Sequence, residues 1–256
     1  MKRVAVFLYG VVSYAAFFVT FLYAYGFMEN LVVRKSMDSA ASTPLVKALA
    51  IDFLLLAIFA IQHSVMARPW FKRVWTRVVP EPAERSTYVL LSSVALAALF
   101  YYWEPLGGTI WNIENAVGRG IMYAGFGFGF VLLLASSFQI NHFDLFGLRQ
   151  AWLYLIGEPY TPLSFRVPFL YKYVRHPLYI GWFMSFWFTP TMTVTHLFFA
   201  AGCTAYILMA IRWEEKDLAD FHGAKYVQYR RNVPMVIPSS QPYRELAPRE
   251  VIRKLA

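Results

Sequence analysis

Between residues 172 and 183 the chain reads KYVRHPLYIGWF. Arg175, His176 and Tyr179 gather there around Pro177, and proline is tolerated in the first turn of a helix. A helix start presents free amide donors and a partial positive charge. With a guanidinium, an imidazole and a phenol beside it, such a terminus can hold a carboxylate or another acceptor-rich group. A second stretch, RWEEKDLADFHGAKYVQYRRNVPMVIP at 212–238, opens with Arg212, Glu214 and Glu215. The apolar run between the two, 178–211, is long for one span and carries Pro190 among threonines. It reads as a helical hairpin that returns to the side it entered; a single tilted span is the alternative. A hairpin brings its basic and acidic feet together. Opposite charges there suit a zwitterionic or mixed-charge ligand, and a structural ion-pair network is the competing account.

The elements that must position these residues are membrane helices. The chain is 58% hydrophobic and 15% charged over 256 residues, against roughly 25% charged in soluble domains. Besides the hairpin, four stretches are apolar enough to span: 4–28, 45–66, 88–103 and 117–138. The expected fold is therefore an all-α integral membrane protein of about five transmembrane helices, the last region a hairpin. It forms a single domain, with a four-helix membrane part at 1–140 and a cofactor-binding and catalytic part at 141–256. The net charge of +9 lies in loops, where it signals topology and anionic-lipid contact rather than nucleic acid. Arg68, Lys72, Arg73, Arg77 and Arg85 follow the second span, whereas 104–116 carries no Lys or Arg. The positive-inside rule then turns the basic loop, both termini and 141–177 toward the cytoplasm. The first segment is too long for a signal-peptide core. A single cysteine, Cys203, excludes an intramolecular disulfide.

Other residues present a chemical and a structural reading side by side. His63 in QHSVMARPWFK stands near the cytoplasmic end of the second span, as an anchor or as part of a site. His142, Arg149 and Gln150 lie in NHFDLFGLRQAWLYL, which has the mix of an interfacial amphipathic helix. They either lie on the membrane or turn inward over a site. Asp52, near the outer end of its span, favours a structural role. Gly125 and Gly129 in GFGFGF suit close helix packing better than dinucleotide binding, since no strand precedes them. No phosphate-binding lysine loop, nucleophile-elbow serine or zinc-spaced histidine pair is present, so no metal is expected.

VRHPLYIGWF, then a hairpin, then an acidic pair, then Leu218, Gly223, Tyr226, Tyr229 and Val233-Pro234 resembles the isoprenylcysteine carboxyl methyltransferase superfamily of membrane enzymes. QHSVMARPWFK and NHFDLFGLRQ extend the likeness toward its bacterial methanethiol S-methyltransferase branch. The resemblance implies S-adenosylmethionine as methyl donor, held at the cytoplasmic face without a Rossmann fold. Carried over by motif, Tyr171, His176, Pro177, Leu178, Tyr179 and Glu214 line the cofactor, and Gln150 matches an upstream glutamine at a longer spacing. Arg175 and Glu215 join them as the charged neighbours of that motif. Arg212 stands two positions from the family's substrate arginine. The implied reaction is methylation of a small thiol, methanethiol to dimethyl sulfide. Alternatives are prenylcysteine carboxyl or phospholipid amine methylation, or a transporter or assembly factor linked to denitrification. A thiol must lose its proton before attack, and His63, His142 and Arg212 are the candidates to remove it or to stabilise the anion. The partners implied are the thiol and the bilayer, with no nucleic acid and no obligate protein.

Overall fold

The computed structural model describes residues 1–244. The final stretch of the expected catalytic part, 245–256, lies outside the described residues. Long helices dominate: α1 (Lys2–Glu29), α2 (Leu45–Ala67), the short α3 (Pro69–Trp75), α4 (Glu81–Tyr102) and α5 (Ala116–Ile140). Then come α6 (His142–Leu145), α7 (Leu148–Ile156), α8 (Pro177–Trp187), α9 (Val194–His222) and α10 (Ala224–Asn232). Among the described residues α1, α2, α5 and α9 are long and apolar enough to cross a membrane. In lipid a helix satisfies its own backbone, and α2 leaves Phe53, Leu54, Ile58 and Ile61 on its outer face. The remaining expected span falls within α4, whose first turn carries Glu81 and Glu84.

Packing follows residue size. Helix α1 runs along α4 and α7, α2 along α4, and α5 along α8. The tightest approach is α5 on α8. A Cβ at Gly129 would stand 2.7 Å from the Gly181 carbonyl oxygen, and one at Gly125 would enter the Phe188 ring. Without side chains there, two backbones meet directly, which is how membrane helices gain contact when lipid is as apolar as their own surfaces. Gly181→Ala would put its Cβ 2.7 Å from the Gly129 oxygen and 2.9 Å from Leu133. It should lower stability by about 1–3 kcal/mol. Gly127→Ala, with nothing within 4 Å, should melt like the parent in detergent. Equal melting of both variants would refute this tight contact.

The last apolar region is a hairpin of unequal arms, 11 residues in α8 and 29 in α9. At 1.5 Å per residue α9 is about 43 Å long, so its last turns pass beyond a hydrocarbon layer of about 30 Å. The bend contains a feature absent from the helical reading. Strand β1 (Thr109–Asn112) pairs antiparallel with β2 (Thr191–Thr193), tying the α4–α5 connection to the hairpin tip. Asp52 serves the same end of the bundle: its Oδ1 accepts the Glu104 amide at 2.8 Å, fixing the chain as it leaves α4. At the opposite end, where α2 and α5 finish and α4 and α8 begin, lie Arg68, Lys72, Arg73, Arg77 and Arg85. The candidate site is at this basic end.

Candidate active site

The RHP triplet is held by the chain that follows α10. The amides of Arg175 and His176 donate to the carbonyls of Pro234, at 2.9 Å, and Met235, at 3.2 Å. Pro234-Met235 thus works as a backbone clamp on the start of α8. Gly223 makes the preceding turn possible, with φ 62° and ψ −140°, a conformation essentially restricted to glycine. It folds α10 back so that Tyr226, Tyr229 and Val233 pack with Leu218 and Phe165 in a small core. Arg175 Nη1 donates to the Arg230 carbonyl at 2.6 Å, placing a cation at the negative end of α10.

Two adjacent glutamates on the projecting part of α9 take different roles. Glu215 is buried, and its Oε1 lies 3.0 Å from His176 Nε2 and 2.9 Å from Arg175 Nε. An ionised carboxylate only accepts, so the imidazole proton on this side sits on Nε2. Glu214 has a side chain 42% exposed, accepts the Tyr179 hydroxyl at 2.8 Å, and lies 3.9 Å from His176 Nδ1. Tyr171, in the turn Phe169–Lys172, points its hydroxyl at the Ser136 carbonyl, 3.4 Å away, and its own carbonyl accepts from Tyr229 at 2.7 Å. Burial, and then the charge of Glu214, push its phenol well above the ordinary range, which keeps it a neutral donor. Burial, and then the charges of Glu215 and Glu214, push the Tyr226 phenol the same way. The Ser136 and Tyr226 hydroxyls are buried without a hydrogen-bond partner, although buried polar groups are normally paired. Their hydrogen-bonding capacity is unused.

The structure brings together Tyr171, Arg175, His176, Pro177, Tyr179, Glu214 and Glu215, while Leu178 packs into the main apolar core beside Tyr179. Gln150 is placed elsewhere. Its amide nitrogen donates to the Asp144 carbonyl at 3.1 Å, beside the Arg149–Asp144 ion pair. Arg212 is exposed and makes no hydrogen bond or ion pair among the described residues.

The two histidines differ. His142 is buried between α1 and α5, its Nε2 2.8 Å from the Tyr14 hydroxyl and its Nδ1 2.8 Å from Ser137 Oγ. Because the Ser137 hydroxyl donates to the Leu134 carbonyl, Nδ1 must carry the proton and Tyr14 must donate to Nε2. Burial holds this imidazole below its ordinary pKa, so His142 is a neutral, fully satisfied strut. His63 meets Ser92 Oγ at 3.1 Å through Nδ1, and the Tyr88 hydroxyl lies 2.9 Å from Nε2 and 3.1 Å from Nδ1. Tyr88 lies within electrostatic reach of Glu214 and Tyr206, and Tyr179 within reach of Tyr88. His63 therefore shares the end of the bundle that holds the α8–α9 feet. Tyr88, Ser92 and Tyr206 escaped the sequence reading. The available signal was polar side chains recurring inside apolar helices.

Three proteins illustrate what the chain resembles. It is 58% identical over 238 residues, 93% of each chain, to the methanethiol S-methyltransferase of Crocosphaera subtropica. It is 48% identical to that of Mycobacterium tuberculosis, over 93% of this chain and 98% of the other. A Nurim homolog of Drosophila pseudoobscura is more distant, 29% identical over 77% of this chain and 78% of its own. No family model and no solved structure matches. With identity of this extent over nearly the whole of both chains, the chain belongs to the methanethiol S-methyltransferase family.

Proposed function

We propose that this membrane protein methylates methanethiol to dimethyl sulfide with S-adenosylmethionine as donor, at a site facing the cytoplasm. The observation that carries the reading is the half-open carboxylate of Glu214 beside His176 and Tyr179, in a chain whose relatives bear that enzyme's name. The donor set suits the cofactor. Glu214 offers an acceptor to an ammonium or to ribose hydroxyls, and the unpartnered Ser136 and Tyr226 hydroxyls add further polar contacts. When bound, the cofactor supplies a methyl group on a sulfonium for in-line displacement by a thiolate. The protein's part is then mainly positioning, which can contribute about 7–11 kcal/mol.

Arg175 and Glu215 hold the RHP helix start in place. Tyr171 and Tyr179 present phenols to the same polar end, and His63 is the group assigned to take the thiol's proton. His142 has both nitrogens committed to structure, and Arg212 is exposed and unpaired among the described residues. Methanethiol is small and weakly polar, so the bilayer is its reservoir, and no protein partner is needed. The cytoplasmic orientation rests on the basic loop around Arg68–Arg85 and the basic-free loop before α5.

Calorimetry on purified protein, with headspace analysis of membranes fed methanethiol, tests the reading. Glu214→Ala and His176→Ala should each weaken cofactor affinity by roughly 10- to 100-fold, the range for hydrogen bonds to charged groups. Unchanged affinity in both would remove the motif from the cofactor site. Methylated prenylcysteine or lipid without dimethyl sulfide would replace the acceptor.

A further inference from the structure

We propose that Tyr88 is a further catalytic residue, whose hydroxyl receives the acceptor thiol's proton while passing its own to Nε2 of His63. The inference rests on the thiol-methylation reading above and assigns the contact point within it. Neither ring nitrogen of His63 is bare. Ser92 Oγ lies 3.1 Å from Nδ1, the Tyr88 hydroxyl lies 2.9 Å from Nε2 and 3.1 Å from Nδ1, and Phe59 lies over the imidazole with ring centroids 5.2 Å apart. A thiol approaching from the cofactor side therefore meets a hydroxyl before it meets the imidazole. Tyr88 is the hydroxyl on that side: it is 8% exposed and in electrostatic range of Glu214 and Tyr206 on α9 and of Tyr179 on α8. The other charged groups in range are Arg68, at the end of α2, and Arg85, on α4 itself. Arg85 also lies over the Tyr88 ring, 5.0 Å from its centroid.

The step balances. The thiol S–H bond breaks and a new Tyr88 O–H bond forms. The old Tyr88 O–H bond breaks and an N–H bond forms on His63, leaving a thiolate and an imidazolium. The imidazolium returns its proton to water after methyl transfer, so each turnover releases one proton. Ser92 at Nδ1 leaves Nε2, the nitrogen nearer the phenol, as the one to take its proton. A hydroxyl relay also explains how a half-buried imidazole serves an acceptor it does not touch.

The test compares full-length wild-type and Tyr88→Phe protein in detergent. Cofactor affinity should be unchanged, and turnover of methanethiol should fall by about 100-fold, the lower range for a lost acid–base step. Methaneselenol, already ionised near neutrality, should be methylated by both proteins at similar rates, because it needs no relay. In complexes with S-adenosylhomocysteine, which cannot react, the ultraviolet thiolate band of bound methanethiol should weaken in the variant. Combining Tyr88→Phe with His63→Asn should cost no more than His63→Asn alone, since the two act in series. Incorporation of 3-fluorotyrosine at position 88, which keeps the shape but acidifies the phenol, should displace the pH profile.

Equal losses on thiol and selenol would overturn the relay and leave Tyr88 a packing residue, as would an unmoved profile with fluorotyrosine. Additive losses in the double variant would separate Tyr88 from His63. Wild-type protein that methylates neither acceptor would sink the thiol reading itself, and the relay with it.

Discussion

His63→Asn is expected to slow methanethiol turnover by about 10²–10⁴, the range for removal of a general base, with cofactor affinity almost unchanged. The size follows from the acceptor. Methanethiol lacks the electron-withdrawing neighbours that bring a cysteine thiol to about 8.5, so well under a few per cent of it is thiolate at neutrality. An enzyme without a base must wait for that fraction. Below the thiol's own pKa the thiolate fraction rises tenfold per pH unit, so the variant should regain activity steadily as pH rises, while the wild type stays flatter. Steady-state rates from pH 6 to 9.5 with cofactor at saturation measure this. His142→Asn should behave differently. It breaks the Tyr14 and Ser137 contacts that join α1 to α5, so it should lower melting temperature without a pH-dependent loss of turnover. Wild-type turnover in His63→Asn across the whole range would eliminate the base, and a pH-recoverable loss in His142→Asn would transfer the role to that residue.

The contrast between the two histidines shows where sequence reasoning ran out. Both stand near the end of a span in mixed polar surroundings, and one-dimensional spacing gave each the same claim on a cavity. The difference comes from tertiary partners: Tyr14, 128 positions from His142, closes its Nε2, whereas Tyr88 leads His63 toward Glu214. The hairpin was legible because Pro190 interrupts an apolar run too long for one span. Its feet were legible because Arg175 and the glutamates carry opposite charge at the two ends of that run. The strand pair at the far end was not. Three or four residues around Thr191 and Thr109 are too few for an alternating pattern, and their pairing depends on a loop some 80 positions away. Gln150 was reached through the resemblance, and its bond to Asp144 depends on the fold of α6 against α7, which no local pattern encodes. The glycines of GFGFGF were readable as packing residues, but nothing in the run itself pointed to α8 as the helix they receive.

Replacing Glu215 by alanine should cost about 3–5 kcal/mol of stability, the penalty for leaving buried ion-pair partners uncompensated. Arg175 and His176 have side chains only 12% and 6% exposed, and Glu215 Oε1 lies 2.9 Å from Arg175 Nε and 3.0 Å from His176 Nε2. Removing that oxygen leaves the guanidinium without its counter-charge, bonded among the described residues only to the Arg230 carbonyl, and strands the imidazole N–H at the start of α8. Glu214→Ala is the matched comparison, one residue along the same helix. Its carboxylate is 42% exposed and accepts one phenol, so its loss should hardly move the melting temperature while cofactor affinity falls. Glu215→Gln keeps the volume and one acceptor but removes the charge, and should fall between. Melting curves in detergent with and without saturating S-adenosylmethionine separate the effects. Glu215→Ala should melt low in both conditions and still gain from the ligand if it folds. Glu214→Ala should melt near wild type without ligand and gain less on adding it. Should Glu215→Ala melt like the parent, the ion-pair account of the RHP start fails. Should Glu214→Ala be the variant that unfolds, the two carboxylates have exchanged roles, and the ligand-facing oxygen belongs to Glu215.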